Sequence, residues 1–159
     1  MAIGSQHSKG VTGMYFEDIQ LGAVYTLAPV EISKEQILSF AEKYDYIPLH
    51  TDEDYAKTTR FGGLIAPGVM SFMLMWTKFI DINVFGTELV AGKSTKMEWI
   101  KPVYPGDILT GKAEISGKTK RNSRNGVIEV AVHVFNQNGD LVLTDTTEVI
   151  TACRPETRS

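Results

Sequence analysis

Asp45 and His50 stand five positions apart, and Gly68 follows where a strongly apolar stretch begins. A carboxylate and an imidazole are side chains that pass protons near neutral pH. The first N–H groups of a helix have no internal partners, so an amide at such a start is free to meet a negative oxygen. An acid/base pair beside a helix N-terminus therefore fits the polarising of a carbonyl and the movement of a proton. Each residue also has a plainer role. His50 could cap a helix starting at Thr51, Asp45 could be a solvated acid past a helix end, and Gly68 could permit close helix–sheet packing. The run His50-Thr51-Asp52-Glu53-Asp54 makes a poor metal site, because no second histidine or cysteine lies nearby. His133 falls on an alternating strand and His7 in the N-terminal segment, and neither is expected to function. Lys93, Lys96, Lys120, Arg121 and Arg124 are cations of the kind that meet phosphates. Scattered surface cations are usually only solvated, so none is assigned. The chain has no glycine-rich phosphate loop and no serine-centred nucleophile motif.

Positioning that trio is the task of the surrounding elements. Ser33 to Gln36 has capping-box spacing, and Ile37, Phe40, Ala41 and Tyr44 recur on one helical face. Pro48 ends this helix, since the residue before a proline, Ile47, is pushed towards extended geometry. Asp45 to His50 thus reads as a helix exit and a kinked loop. Five extended residues span ~17 Å, so the two side chains meet only if the loop doubles back. Acids at Asp52, Glu53 and Asp54 fit the first turn of a second short helix, with Tyr55 and Ala56 packing inward, and Gly62-Gly63 ends it. From Pro67 to Ile80 the chain is apolar nearly all round, which predicts a helix buried on most sides. Pro67 suits its first position.

Val24 to Ile32 reads as a strand that Pro29 confines to an edge or a bend. Residues Lys93 to Ile100, Asp107 to Lys118, Val127 to Gln137 and Leu141 to Ala152 are β-branched and partly alternating. Asn138-Gly139 between the last two is a strong hairpin signal. The expected architecture is a meandering antiparallel sheet with the 67–80 helix lying across its face.

The chain has 159 residues, 43% apolar and 22% charged, with a net charge of −3. This describes one domain, large enough to bury about two thirds of its unfolded surface. The charge and the lack of a basic block argue against nucleic acid. The apolar run Leu64 to Ile80 is interrupted by Lys78 and falls short of the ~20 residues of a membrane span. Without an apolar leader, and with a single cysteine, Cys153, the chain is expected in the cytoplasm. Residues 1–13 are expected to form a flexible tail, 14–152 the domain, and 153–159 a C-terminal tail.

Four stretches resemble the MaoC-like dehydratase family. They are Tyr15-Phe16-Glu17-Asp18-Ile19 with Gly22; Asp45 with Pro48-Leu49-His50-Thr51-Asp52; Phe61-Gly62-Gly63-Leu64-Ile65-Ala66 with Gly68; and Pro102-Val103-Tyr104-Pro105-Gly106-Asp107. The resemblance spans roughly Met14 to Ala152. It implies an α+β hot-dog fold, a curved antiparallel sheet wrapped around one long helix. It further implies a homodimer or higher oligomer, an acyl-CoA or acyl-carrier thioester as substrate, and no separate cofactor. Asp45 and His50 would hold the catalytic water, and the Gly68 amide would bond the thioester oxygen. Ile65, Ala66, Met70 and Trp76 are expected to contact the acyl group. The implied reaction is addition of water to a 2-enoyl thioester, or its reverse, as in the R-specific enoyl-CoA hydratases of fatty acid metabolism.

The chain departs from those hydratases at three positions. Ile47 and Pro67 stand where they carry asparagine and histidine, and Trp76 stands where they tend to carry serine. Two other functions remain in view. Thioesterases of this fold generally place a lone acid on the central helix, and 67–80 contains none. A non-catalytic acyl-thioester binder is the other, prompted by the altered positions.

Overall fold

The computed structural model describes residues 14–157 of the chain. Residues 1–13, expected above to be a tail, lie outside the described residues. Five strands form one antiparallel sheet: β1 (Val24–Glu31), β2 (Leu89–Trp99), β3 (Ile108–Lys120), β4 (Asn125–Phe135) and β5 (Leu141–Ala152). Their order is β1-β3-β4-β5-β2, so the meander β3-β4-β5 is the middle and the two earlier strands are its edges. Pro29 lacks the N–H a central strand needs. It sits on edge strand β1, in the register break between Leu27 and Val30. At the β4–β5 hairpin Gly139 takes φ +77°, the left-handed geometry its Asn-Gly sequence predicts.

The described residues also form four α-helices, α1 (Lys34–Tyr44), α2 (Pro48–Thr51), α3 (Glu53–Thr58) and α4 (Gly68–Ile82), and two short 3₁₀ turns. Ser33 accepts from the Gln36 amide and Gln36 returns the bond, so the predicted box starts α1. α4 is the long helix the sheet wraps. It buries Met70, Phe72, Met75 and Phe79 in one core with Leu27, Leu109, Ile115, Ile128, Val130 and Leu143. This is the expected hot-dog architecture.

Three expectations change. α4 is not covered on most sides: Val69, Met73 and Ile80 are each 41–46% exposed, because a single sheet covers only one face of a helix. The segment expected as a kinked loop contains a helical turn, α2, since Pro48 at its first position needs no N–H partner and starts helix rather than merely ending it. Cys153 and Arg154, assigned above to a C-terminal tail, are docked. Cys153 is buried with its amide donating to the Arg124 carbonyl at 2.8 Å, and Arg154 pairs with Asp18 at 2.5 Å. No described helix is long and apolar enough to cross a membrane.

Candidate active site

Asp45 is the last link of α1. Its amide donates to the Ala41 carbonyl at 3.0 Å, and its backbone then leaves the helix at φ −158°, ψ 67°. Two residues later Ile47 is extended, as its place before proline requires. α2 then turns the chain back on itself, the His50 amide donating to the Ile47 carbonyl at 3.0 Å. The fold-back that spacing alone left open is therefore made by a proline-started turn. It brings His50 Nε2 to 3.5 Å from Asp45 Oδ2.

The imidazole is oriented from behind. His50 Nδ1 lies 2.7 Å from the Ile65 carbonyl oxygen, an atom that only accepts. Nδ1 must carry the proton, which leaves Nε2 of the neutral ring bare towards Asp45. The His50 side chain is 9% exposed and that of Asp45 43%, so a buried imidazole faces a carboxylate reached by solvent. His50 does not cap the next helix; Asp52 does, accepting from the Tyr55 amide at 3.0 Å.

The carbonyl that orients His50 is fixed in turn. The Ala66 amide donates to the Val103 carbonyl at 2.8 Å, and Tyr104 Oη donates to the Phe61 carbonyl at 2.8 Å. The segment 102–107 is itself locked. Asp107 accepts from the Tyr104 amide at 2.9 Å and from Gln137 Nε2 at 3.0 Å, while Gly106 turns at φ +88°. The Pro-Val-Tyr-Pro-Gly-Asp stretch thus acts on the dyad indirectly, through residues 61–66.

Asp45, His50 and Gly68 line one cavity of about 390 Å³. Ile65 and Ala66 line it too. Met70 and Trp76 do not, which corrects their expected place. Met70 faces a groove between α1 and α4 beside Phe40 and Tyr44, and Trp76 packs between Phe72 and Phe79. Helical geometry is the reason: at 100° per residue, position 70 turns away from the face of 68, and position 76 lies two turns along. Gly68 is the first residue of α4, with Pro67 before it offering no N–H. A Cβ on Gly68 would fall 2.0 Å from Nε1 of Trp99, so the indole of β2's last residue fills the space a side chain would take.

Among the lining residues that sequence reading missed are Arg60, Ser71, Trp99 and Lys101. Arg60 stacks over the Phe61 ring at 4.9 Å, and Lys101 pairs with Asp140 at 3.3 Å. Arg60 and Lys101 flank the two motifs quoted above, and that adjacency was the available signal. The cations weighed earlier lie elsewhere, Lys93 paired with Glu148 and Lys96 with Glu98. His133 is exposed on β4, opposite Thr144 and away from the cavity.

A sheet around one long helix, with an Asp–His pair near the helix's leading end, is a hot-dog arrangement. The chain belongs to the MaoC-like domain family, whose model matches residues 18–137. It is 30% identical over 125 residues to a Bacillus subtilis protein called YdeM, covering 78% of this chain and 89% of the relative. It is 36% identical over 108 residues to an (R)-specific enoyl-CoA hydratase of Rhodospirillum rubrum, covering 65% of this chain and 70% of that enzyme. Its fold resembles the X-ray structure of a monoamine oxidase regulatory protein from Archaeoglobus fulgius, at TM-score 0.86 and 30% identity. That match covers 90% of this chain and 97% of the other.

Proposed function

We propose that this protein adds water to a 2-enoyl thioester of coenzyme A or an acyl carrier, giving a 3-hydroxyacyl thioester, or catalyses the reverse. The observation that carries this reading is the pair of facing acceptors, His50 Nε2 and Asp45 Oδ2, 3.5 Å apart in the cavity that holds Gly68. Neither can donate to the other while the ring is neutral. A water set beside the line joining them donates a hydrogen to each, which turns its lone pair outward, towards C3 of a bound acyl group.

In the hydration direction the water oxygen bonds to C3, and the C2–C3 π electrons move onto the thioester oxygen. The Gly68 amide, at the positive end of α4, donates to that oxygen. One member of the dyad takes the proton the water loses, and the pair returns a proton to C2 as the enolate collapses. Atoms and charge balance with no further reactant. The same groups run the reverse reaction, so the geometry serves both directions.

The active form is proposed to be a homodimer or higher oligomer working in the cytoplasm. A thioesterase finds no support at the site: the acid on α4 is Asp81, at the far end of the helix and paired with Lys78 at 3.6 Å.

The test follows loss of the conjugated-enoyl absorbance with enoyl-CoA esters of graded length. Asp45→Asn and His50→Ala are each expected to lose at least ~10²-fold in kcat while keeping the wild-type fold. Near-normal rates in both variants, or thiol release without hydration, would overturn the proposal.

A further inference from the structure

Ser71 is 1% exposed, lines the cavity, and its Oγ has no hydrogen-bond partner among the described residues. The neighbours of Ser71 on the buried face of α4 are apolar: Met70, Phe72, Met75 and Phe79. Across the cavity stand Val142 and Leu143 of β5. An unpartnered hydroxyl in such a setting costs about 1–3 kcal/mol against one that is paired. Native interiors leave few such groups, and those that remain tend to have a use. Side chains on a helix lean towards its N-terminus, so Ser71 leans over the turn that begins at Gly68.

We infer that Ser71 Oγ is a specificity residue that hydrogen-bonds an oxygen atom carried by the acyl group of the substrate. The inference rests on the proposed acyl-thioester site and names the class of acyl group it takes: short and oxygen-bearing rather than a plain alkyl chain. With the thioester oxygen at the Gly68 amide and C3 at the dyad, the rest of the acyl group fills what remains of about 390 Å³. A plain alkyl chain seated there shuts water out and leaves the Ser71 hydroxyl unpaired. An ether, hydroxyl or carboxylate oxygen pairs with it. A site built around a buried hydrogen-bonding group discriminates strongly against ligands lacking its partner.

Calorimetric titration with unreactive saturated thioesters tests this without turnover. Two isosteric pairs isolate one oxygen: 3-methoxypropionyl-CoA against pentanoyl-CoA, and 4-methoxybutyryl-CoA against hexanoyl-CoA. The wild type is expected to bind the oxygenated member of at least one pair ~5-fold or more tightly, and Ser71→Ala to bring both pairs within ~2-fold. Because the hydroxyl has no partner among the described residues, Ser71→Ala should also leave Tm unchanged or raised. Equal binding within both pairs, preference for the alkyl members, no binding of any of the four, or discrimination that survives Ser71→Ala would overturn the inference. So would a marked fall in Tm, which would show the hydroxyl bonded inside the protein, for example to the Pro67 carbonyl one turn back. Oxygen-dependent binding without hydration of any enoyl ester would uphold this assignment and defeat the hydratase reading instead.

Discussion

Glycine at position 68 answers two separate demands. The amide at the head of α4 must be open to a substrate oxygen, and the Trp99 indole must lie against the same backbone, with Nε1 only 2.0 Å from where a Cβ would stand. Gly68→Ala therefore forces the indole or the helix to move. It is expected to lower kcat/KM for an enoyl-CoA by ~10²-fold or more, the scale of losing one oxyanion donor. Alanine keeps the backbone N–H, so adding Trp99→Ala should remove the clash and restore thermal stability together with much of the rate. A double variant that regains stability while its rate stays ~10²-fold down would show that the loss does not come from displacement of the amide.

Among the elements, the β2–β5 pair contains a charge the proposed chemistry does not use. Asp145 on β5 is 2% exposed, and accepts from Thr95 Oγ1 across the strand pair at 2.5 Å and from Thr147 Oγ1 at 2.7 Å. Burial pushes its carboxyl above the ordinary 3.8, and the two hydroxyl bonds only partly oppose that. A carboxyl whose folded pKa is raised favours the fold when protonated, and that contribution is lost as pH rises through the folded value. At pH 7 the ionised form is thus a cost to the native sheet. Asp145→Asn should raise Tm at pH 7 by a few degrees. The gain should shrink as pH is lowered through the raised value towards 3.8. Thermal melts from pH 4 to 8 measure it, and a variant that melts lower than wild type at every pH would contradict the account.

As a whole, the molecule leaves apolar side chains uncovered on both α4 and β2. Val69, Met73 and Ile80 on α4 are exposed, as are Val90 and Trp99 on β2. Among the described residues β2 pairs only with β5, so its other edge presents N–H and C=O groups without strand partners there. A long open edge beside exposed apolar side chains is what a second copy would cover, and this supports the proposed homodimer. The double variant Met73→Glu/Val90→Glu places charge on both surfaces. It is expected to shift the mass measured by light scattering from dimer towards monomer. A dimer that persists unchanged would locate the interface elsewhere.

What the sequence determined by itself was what local chemistry dictates. The Ser33–Gln36 box, the Asn138-Gly139 turn, the edge position of Pro29 and the apolar run of α4 each act within a few residues, so each was legible. The family motifs made the Asp–His pair and the hot-dog fold expected. Tertiary structure alone decided which side chains share the cavity. Ser71 reaches it from α4, Trp99 and Lys101 from the end of β2, and Arg60 from the turn after α3; only the adjacency of Arg60 and Lys101 to the quoted motifs pointed to that convergence. Met70 and Trp76 left it because the rotation of α4 is set by the sheet beneath, and a helix apolar nearly all round does not announce which face will be buried.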